Sequence, residues 1–160
     1  MGFLEWLKAT PLSEWVSGSD YGFYIVLAGH AVGMAVVTGT MFMVALRVLG
    51  YSRSVPLRVF DRLFTIAWVG FALNFVTGLA LFTANGEHLV GNTAFQIKIG
   101  MLAVGGVAVY LTWRAVEADP AVIDGDGVAK MSTRVLAAAT LFCWITAIVA
   151  GRIIGYTIDY

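Results

Sequence analysis

The sequence predicts an all-α integral membrane protein: a single transmembrane domain spanning residues 1–160, in which a short interfacial segment (1–20) precedes a four-helix bundle (21–160). Three observations carry that fold class. The chain is 59% hydrophobic and 12% charged with a mean hydropathy of +0.83, far from the composition of a soluble domain. Runs free of Asp, Glu, Lys and Arg extend from Tyr21 to Leu46, from Leu63 to Gly86 and from Val135 to Gly151, and a fourth, Ile99 to Trp113, reaches back across Lys98 to Thr93. A bilayer core of ~30 Å needs ~20 helical residues, so each run can span it. Small residues recur on every span (Gly29 and Gly33; Gly70 and Gly78; Gly100, Gly105 and Gly106; Gly151 and Gly155), which permits the close backbone approach that holds helices together in lipid.

Residues 1–20 are too short and polar to cross. Phe3, Leu4, Trp6, Leu7, Leu12, Trp15 and Val16 recur at roughly helical spacing around Glu5, Lys8 and Glu14. Thr10 before Pro11 reads as an N-cap followed by proline at the first helical position, so two short amphipathic helices anchored by tryptophan are expected at the interface. The segment lacks a basic n-region and a cleavage site, and the mature chain is expected to begin at or near Met1. Span one is expected at about 21–47, span two at 63–84, span three at 93–115 and span four at 135–158. Thr93 and Gln96 fit a capping box at the start of span three. The connection Glu117–Lys130 holds Pro120, Gly125 and Gly127 among acidic residues and reads as exposed and mobile.

Orientation follows the cations. Arg47, Arg53, Arg58 and Arg62 follow span one, and Arg114, Lys130 and Arg134 follow span three, against Lys8, Lys98 and Arg152 on the opposite side. This excess places both connections in the cytoplasm and both termini outside. The formal net charge is zero, and no basic cluster interleaved with aromatics points to nucleic acid. Cys143 is the one cysteine, so no disulfide forms within the chain.

Ionisable groups inside a membrane are costly and therefore informative. By helical rise, Arg152 lies about 10 Å below the outer end of span four, Lys98 about 7 Å below its cap and His30 about 15 Å down, all in the same outer half. Val26, His30, Gly33, Val37 and Met41 share one face of span one, and Trp144, Ile148, Arg152 and Gly155 share one face of span four, so both stripes are expected to face the bundle interior. A neutral imidazole in such a bundle is a ligand for haem iron, with Arg152 and Lys98 neutralising propionates, Trp144 packing beside the ring, and Gly33 and Gly151 leaving room for it. The second axial ligand would be Met101 or His30 of a second copy in a dimer; a five-coordinate haem b needs neither. The same groups could instead hydrogen-bond a quinone headgroup or hold a lipid phosphate.

Plainer roles stand beside these. His30 can serve as interhelical glue, for instance with Asn74 or Thr38; Arg152 and Lys98 can snorkel to the headgroups; Asn74 can bond between helices. Met34, Met41 and Met43 do not share a face, and Glu87 with His88 is too small a set for a metal site. No nucleophile with a base, Gly-rich phosphate loop or metalloprotease pattern occurs, which disfavours a free-standing hydrolase or transferase.

His30 early in span one, the Leu46-Arg47-Val48-Leu49-Gly50 exit from it, Phe95-Gln96-Ile97-Lys98 opening span three, and Trp144 with Ala150-Gly151-Arg152 in span four together resemble a family of small, functionally uncharacterised bacterial four-span membrane proteins. The resemblance runs from about Leu12 to Tyr156 and implies a multi-pass protein of the bacterial inner membrane. More distantly the chain is similar to the copper-resistance D and cytochrome b561-like membrane bundles, which implies haem or redox work. Those bundles carry several histidines on their spans, and this chain carries one. The expected function is a small membrane subunit that binds haem b or quinone near the outer face and exchanges electrons with a larger protein partner. The alternative is a structural or assembly subunit, alone or as a homo-oligomer, whose outer cations bind lipid or a partner's carboxylate.

Overall fold

The computed structural model describes residues 2–157. Two short helices, α1 (Phe3–Lys8) and α2 (Pro11–Gly18), precede α3 (Gly22–Leu49), α4 (Asp61–Val90), α5 (Thr93–Glu117), the single turn α6 (Pro120–Ile123) and α7 (Met131–Thr157). The helices α3, α4, α5 and α7 are each long and apolar enough to cross a membrane, and together they make the four-helix membrane bundle that the composition implies. The last residue expected in span four, Ile158, lies outside the described residues.

The ends of these helices follow local chemistry. Thr10 Oγ1 accepts from Ser13 N at 3.3 Å with Pro11 at the first helical position, as the sequence suggests. Gly50, at φ 112°, ends α3 in the left-handed conformation, and Tyr51 N closes the turn on Leu46 O at 3.0 Å. Span three is capped one residue earlier than expected. Asn92, not Thr93, accepts from Phe95 N at 3.1 Å, while Gln96 Nε2 donates to Val90 O at 3.0 Å. Asn and Thr both cap well, and the extended backbone falls at Asn92.

The four spans pack as two close pairs. Between α3 and α4, a Cβ on Gly33 would stand 2.7 Å from both Asn74 N and Gly70 O, so only glycine allows this approach. Between α5 and α7, a Cβ on Gly105 would meet Cys143 Cβ at 3.1 Å. The pairs join along α3 and α7 through Val37, Met41, Ala67, Val109 and Trp144. The consecutive helices α4 and α5, by contrast, barely touch. Their seam is bridged near the terminal end by Phe82 and Phe95, with ring centroids 5.9 Å apart, and near the arginine-rich end by Phe64 and Trp113 at 4.5 Å.

The arginine-rich end is closed. Val48, Leu57, Val116, Val122, Ile123 and Ala137 form one buried cluster, and Arg47, only 3% exposed, ties two connections to it. Its Nε donates to Val55 O at 2.7 Å and its Nη2 to Gly125 O at 2.8 Å. The 117–130 connection is exposed over most of its length, as its composition suggests, and it is anchored as a lid: Val122 and Ile123 supply the apolar contact, and Arg58 pairs with Asp124. At the opposite end, α1 and α2 lie against α4. Val16 is fully buried, Ser13 Oγ donates to Thr83 O at 3.1 Å, and Lys8 pairs with Glu87 at 3.2 Å. Trp6 and Trp15 remain exposed on the outer side of this amphipathic hairpin.

Candidate functional site

The polar residues inside the bundle converge from α3, α4 and α5, with Gly151 of α7 beside them. The glycine contact at Gly33 brings α3 close enough to α4 for a reciprocal pair of bonds: Asn74 Nδ2 donates to His30 O at 2.8 Å, and His30 Nδ1 lies 3.0 Å from Asn74 O. Thr77 Oγ1 stands 3.3 Å from the same ring nitrogen and itself donates to Leu73 O at 2.6 Å. Gly78 makes the space for the ring, since a Cβ there would be 3.1 Å from His30 Cε1. Asn74, Thr77 and Gly78 are three and four residues apart and so share one face of α4.

These partners define the neutral imidazole. A carbonyl oxygen only accepts, so Nδ1 carries the proton and Nε2 keeps a lone pair. That lone pair faces Lys98 Nζ, 3.4 Å away on α5. The stem of Lys98 lies along Gly151 of α7, where an added Cβ would be 3.6 Å from Lys98 Cδ, Cε and Nζ. Among the described residues no carboxylate pairs with Lys98; the ion pairs are Lys8 with Glu87 and Arg58 with Asp124. An ammonium has three donors, and here one is turned to His30.

Lys98 and Asn74 also border a cavity of about 780 Å³ in the gap between α4 and α5. Its walls are apolar, built from residues such as Met34, Phe71, Leu102, Gly106, Trp113 and Ile148. Trp144 contributes to the wall, and its Nε1–H, buried near Gly105, has no hydrogen-bond partner. The cavity opens sideways, since its lining residues Trp68, Val107 and Tyr110 are exposed on the flank of the bundle.

Of the residues singled out in the sequence, His30, Lys98, Gly33 and Gly151 meet in one cluster, and Trp144 lies along the adjoining cavity. Arg152 does not join them. Its guanidinium is exposed and sits 5.3 Å from the ring centroid of Tyr156, so the Trp144–Ile148–Arg152 stripe turns out of the interior by its last step. Met101 is half-buried and lies outside the cavity lining. Thr38 Oγ1 is buried without a partner, so Asn74 rather than Thr38 holds His30. His88 is exposed beside Glu87, and among the described residues no group of three or more His, Cys, Asp or Glu side chains could hold a metal ion. The sequence does not disclose Thr77, Gly78 or Gly106 as parts of the site; the spacing of Asn74, Thr77 and Gly78 on one helical face is the signal that was present for the first two.

Comparisons with protein-family models, curated proteins and solved structures returned no match, so the functional reading rests on this geometry.

Proposed function

We propose that this chain is a small multi-pass subunit of the bacterial inner membrane that binds a quinone headgroup near the outer face and serves electron transfer with a larger partner. The observation that carries the reading is Lys98: a cation inside the bundle, held by one lone pair and left with donors to spare at the edge of a large apolar cavity. A quinone oxygen is an acceptor on an apolar ring, and it satisfies those donors while the ring fills the cavity. His30 acts as the positioning residue. Its tautomer is fixed from α4, and its Nε2 accepts from the Lys98 ammonium at the edge of the cavity. The cation bias of the connections supports an outer-leaflet position for this cluster.

Haem b, the other cofactor the resemblance implies, fits this arrangement less well. An Nδ1–H bonded to a carbonyl is the usual support of an iron-ligating histidine. Yet Lys98 stands on the ligating nitrogen, Arg152 points away, and Met101 does not border the cavity. The quinone reading requires none of these to move. A structural subunit remains the second reading, favoured by the exposed Arg152 over Tyr156, which is free to meet a lipid phosphate or a partner's carboxylate.

The test is extraction and chromatography of lipids bound to the protein purified in mild detergent after haem-replete expression. Quinone is expected in wild type and at least tenfold less in Lys98→Gln. A Soret band lost in His30→Ala, with no quinone in either preparation, would replace this reading with the haem one; neither quinone nor Soret band would leave the structural subunit.

A further inference from the structure

We infer that the ligand is a quinone bearing a long apolar chain, and that the chain leaves the protein sideways between α4 and α5, passing over Gly106. The inference rests on the quinone reading and adds to it the ligand's tail and its path.

The cavity is much longer than a headgroup. Its lining along α5 runs from Lys98 to Trp113, which at the helical rise is about 22 Å. The charged and amide groups, Lys98 and Asn74, stand at one end of this length, and Trp144 Nε1–H lies farther along, near Gly105. Beyond them the walls are Leu102, Gly106, Val107 and Val109 on α5 facing Ala67, Trp68 and Phe71 on α4. Such a shape takes an acceptor-bearing head at Lys98 and an apolar continuation below it.

The continuation has one way out among the described residues. The terminal end of the gap is bridged by Phe82 on Phe95 and the arginine-rich end by Phe64 on Trp113, backed by the Val116, Val122 and Leu57 cluster. The α3–α4 and α5–α7 seams are shut by the close approaches at Gly33 and Gly105. Between the two aromatic bridges α4 and α5 stay apart, and the exposed Trp68, Val107 and Tyr110 form the margins of the opening. Gly106 lies at this opening, eight residues (about 12 Å) from Lys98. A Cβ on Gly106 would meet nothing within 4 Å, so a side chain there starts into open space.

Two quinones with the same headgroup, one long-chained and one without a chain, titrated against the tryptophan fluorescence of the reconstituted protein, test this. In wild type both are expected to quench. In Gly106→Phe the long-chain quinone is expected to bind at least tenfold more weakly and the chainless one within twofold of wild type, the latter also showing that the variant is folded. In Lys98→Gln both are expected to weaken at least tenfold. Equal responses of the two quinones to Gly106→Phe, whether both unchanged or both weakened, would overturn the path of the tail and leave the headgroup reading standing. Failure of both quinones to bind wild type would overturn the headgroup reading and the inference with it. Undiminished binding in Lys98→Gln beside selective loss in Gly106→Phe would overturn the headgroup anchor and support the path.

Discussion

Arg47 and Lys98 are both long cations at the edge of an apolar bundle, and they are treated in opposite ways. At the arginine-rich end, Arg47 Nε and Nη2 donate to the carbonyls of Val55 and Gly125, and apolar side chains seal the surroundings. Toward the end that carries α1 and α2, Lys98 has the lone pair of His30 at 3.4 Å and a cavity beside it. Arg47 is fixed to the backbone carbonyls of two connections and works as a staple, whereas Lys98 is held by one side chain and borders open space. The same contrast holds for the helix seams: α3 packs closely on α4 and α5 on α7, whereas α4 and α5 stay apart.

Breaking the staple is expected to have the largest effect. Arg47→Ala strands the Val55 and Gly125 carbonyls and frees the 117–130 lid from α3, for a loss of about 3 kcal/mol. Thermal unfolding in detergent should show it as a large fall in Tm, while the quinone affinity of the molecules still folded stays within twofold of wild type. Equal damage to stability and to ligand binding would show that the two halves are not separable. Gly33→Ala comes next, because its methyl meets Asn74 N and Gly70 O, backbone atoms that have no rotamer to yield. A cost of about 2 kcal/mol is expected, and here binding should fall as well, since the same approach sets the bonds between His30 and Asn74.

The spans were legible because hydrophobic length is a local property, and their small residues because close packing in lipid has few other solutions. Thr10 was legible for the same reason. The exposure of the lid was legible in Pro120, Gly125 and the acidic residues, but its anchor was not, because the burial of Val122 and Ile123 depends on a partner surface made by Leu57 and Val116. Arg152 was misread because its helical stripe is continuous with Trp144 and Ile148, and only the position of the neighbouring helices decides where that stripe leaves the interior. The cavity was not legible at all. It is made by two helices failing to meet, and periodicity describes what a helix presents, not what stands opposite.

Trp144→Phe sharpens the cavity side of the contrast. It removes an N–H that is buried with no partner, so its stability should stay within about 1 kcal/mol of wild type, the lost ring volume offset by the removal of an unsatisfied donor. Fluorescence quenching by quinone should lose amplitude in this variant with little change in midpoint. A large loss of stability would mean that Nε1 is bonded and that the cavity half is as closed as the arginine-rich end.

The smallest effect is expected from the exposed ion pair on the lid. The Arg58 guanidinium holds the Asp124 carboxyl below its ordinary value, chiefly by hydrogen bonding to it, with Nη2 at 3.0 Å from Oδ2. Because the folded value is depressed, the carboxylate contributes stability above the unfolded value and loses it as pH falls through the folded one. Wild type should therefore shed a little stability on the acid side that Asp124→Asn has already lost, so their Tm curves should converge as the pH falls. Both partners are about half exposed or more, at 59% and 50%, so the difference should shrink further at high salt. A pH dependence as large as the effect of Arg47→Ala would locate the lid's hold in this surface pair. A small one leaves that hold with Arg47 and the apolar contacts of Val122 and Ile123.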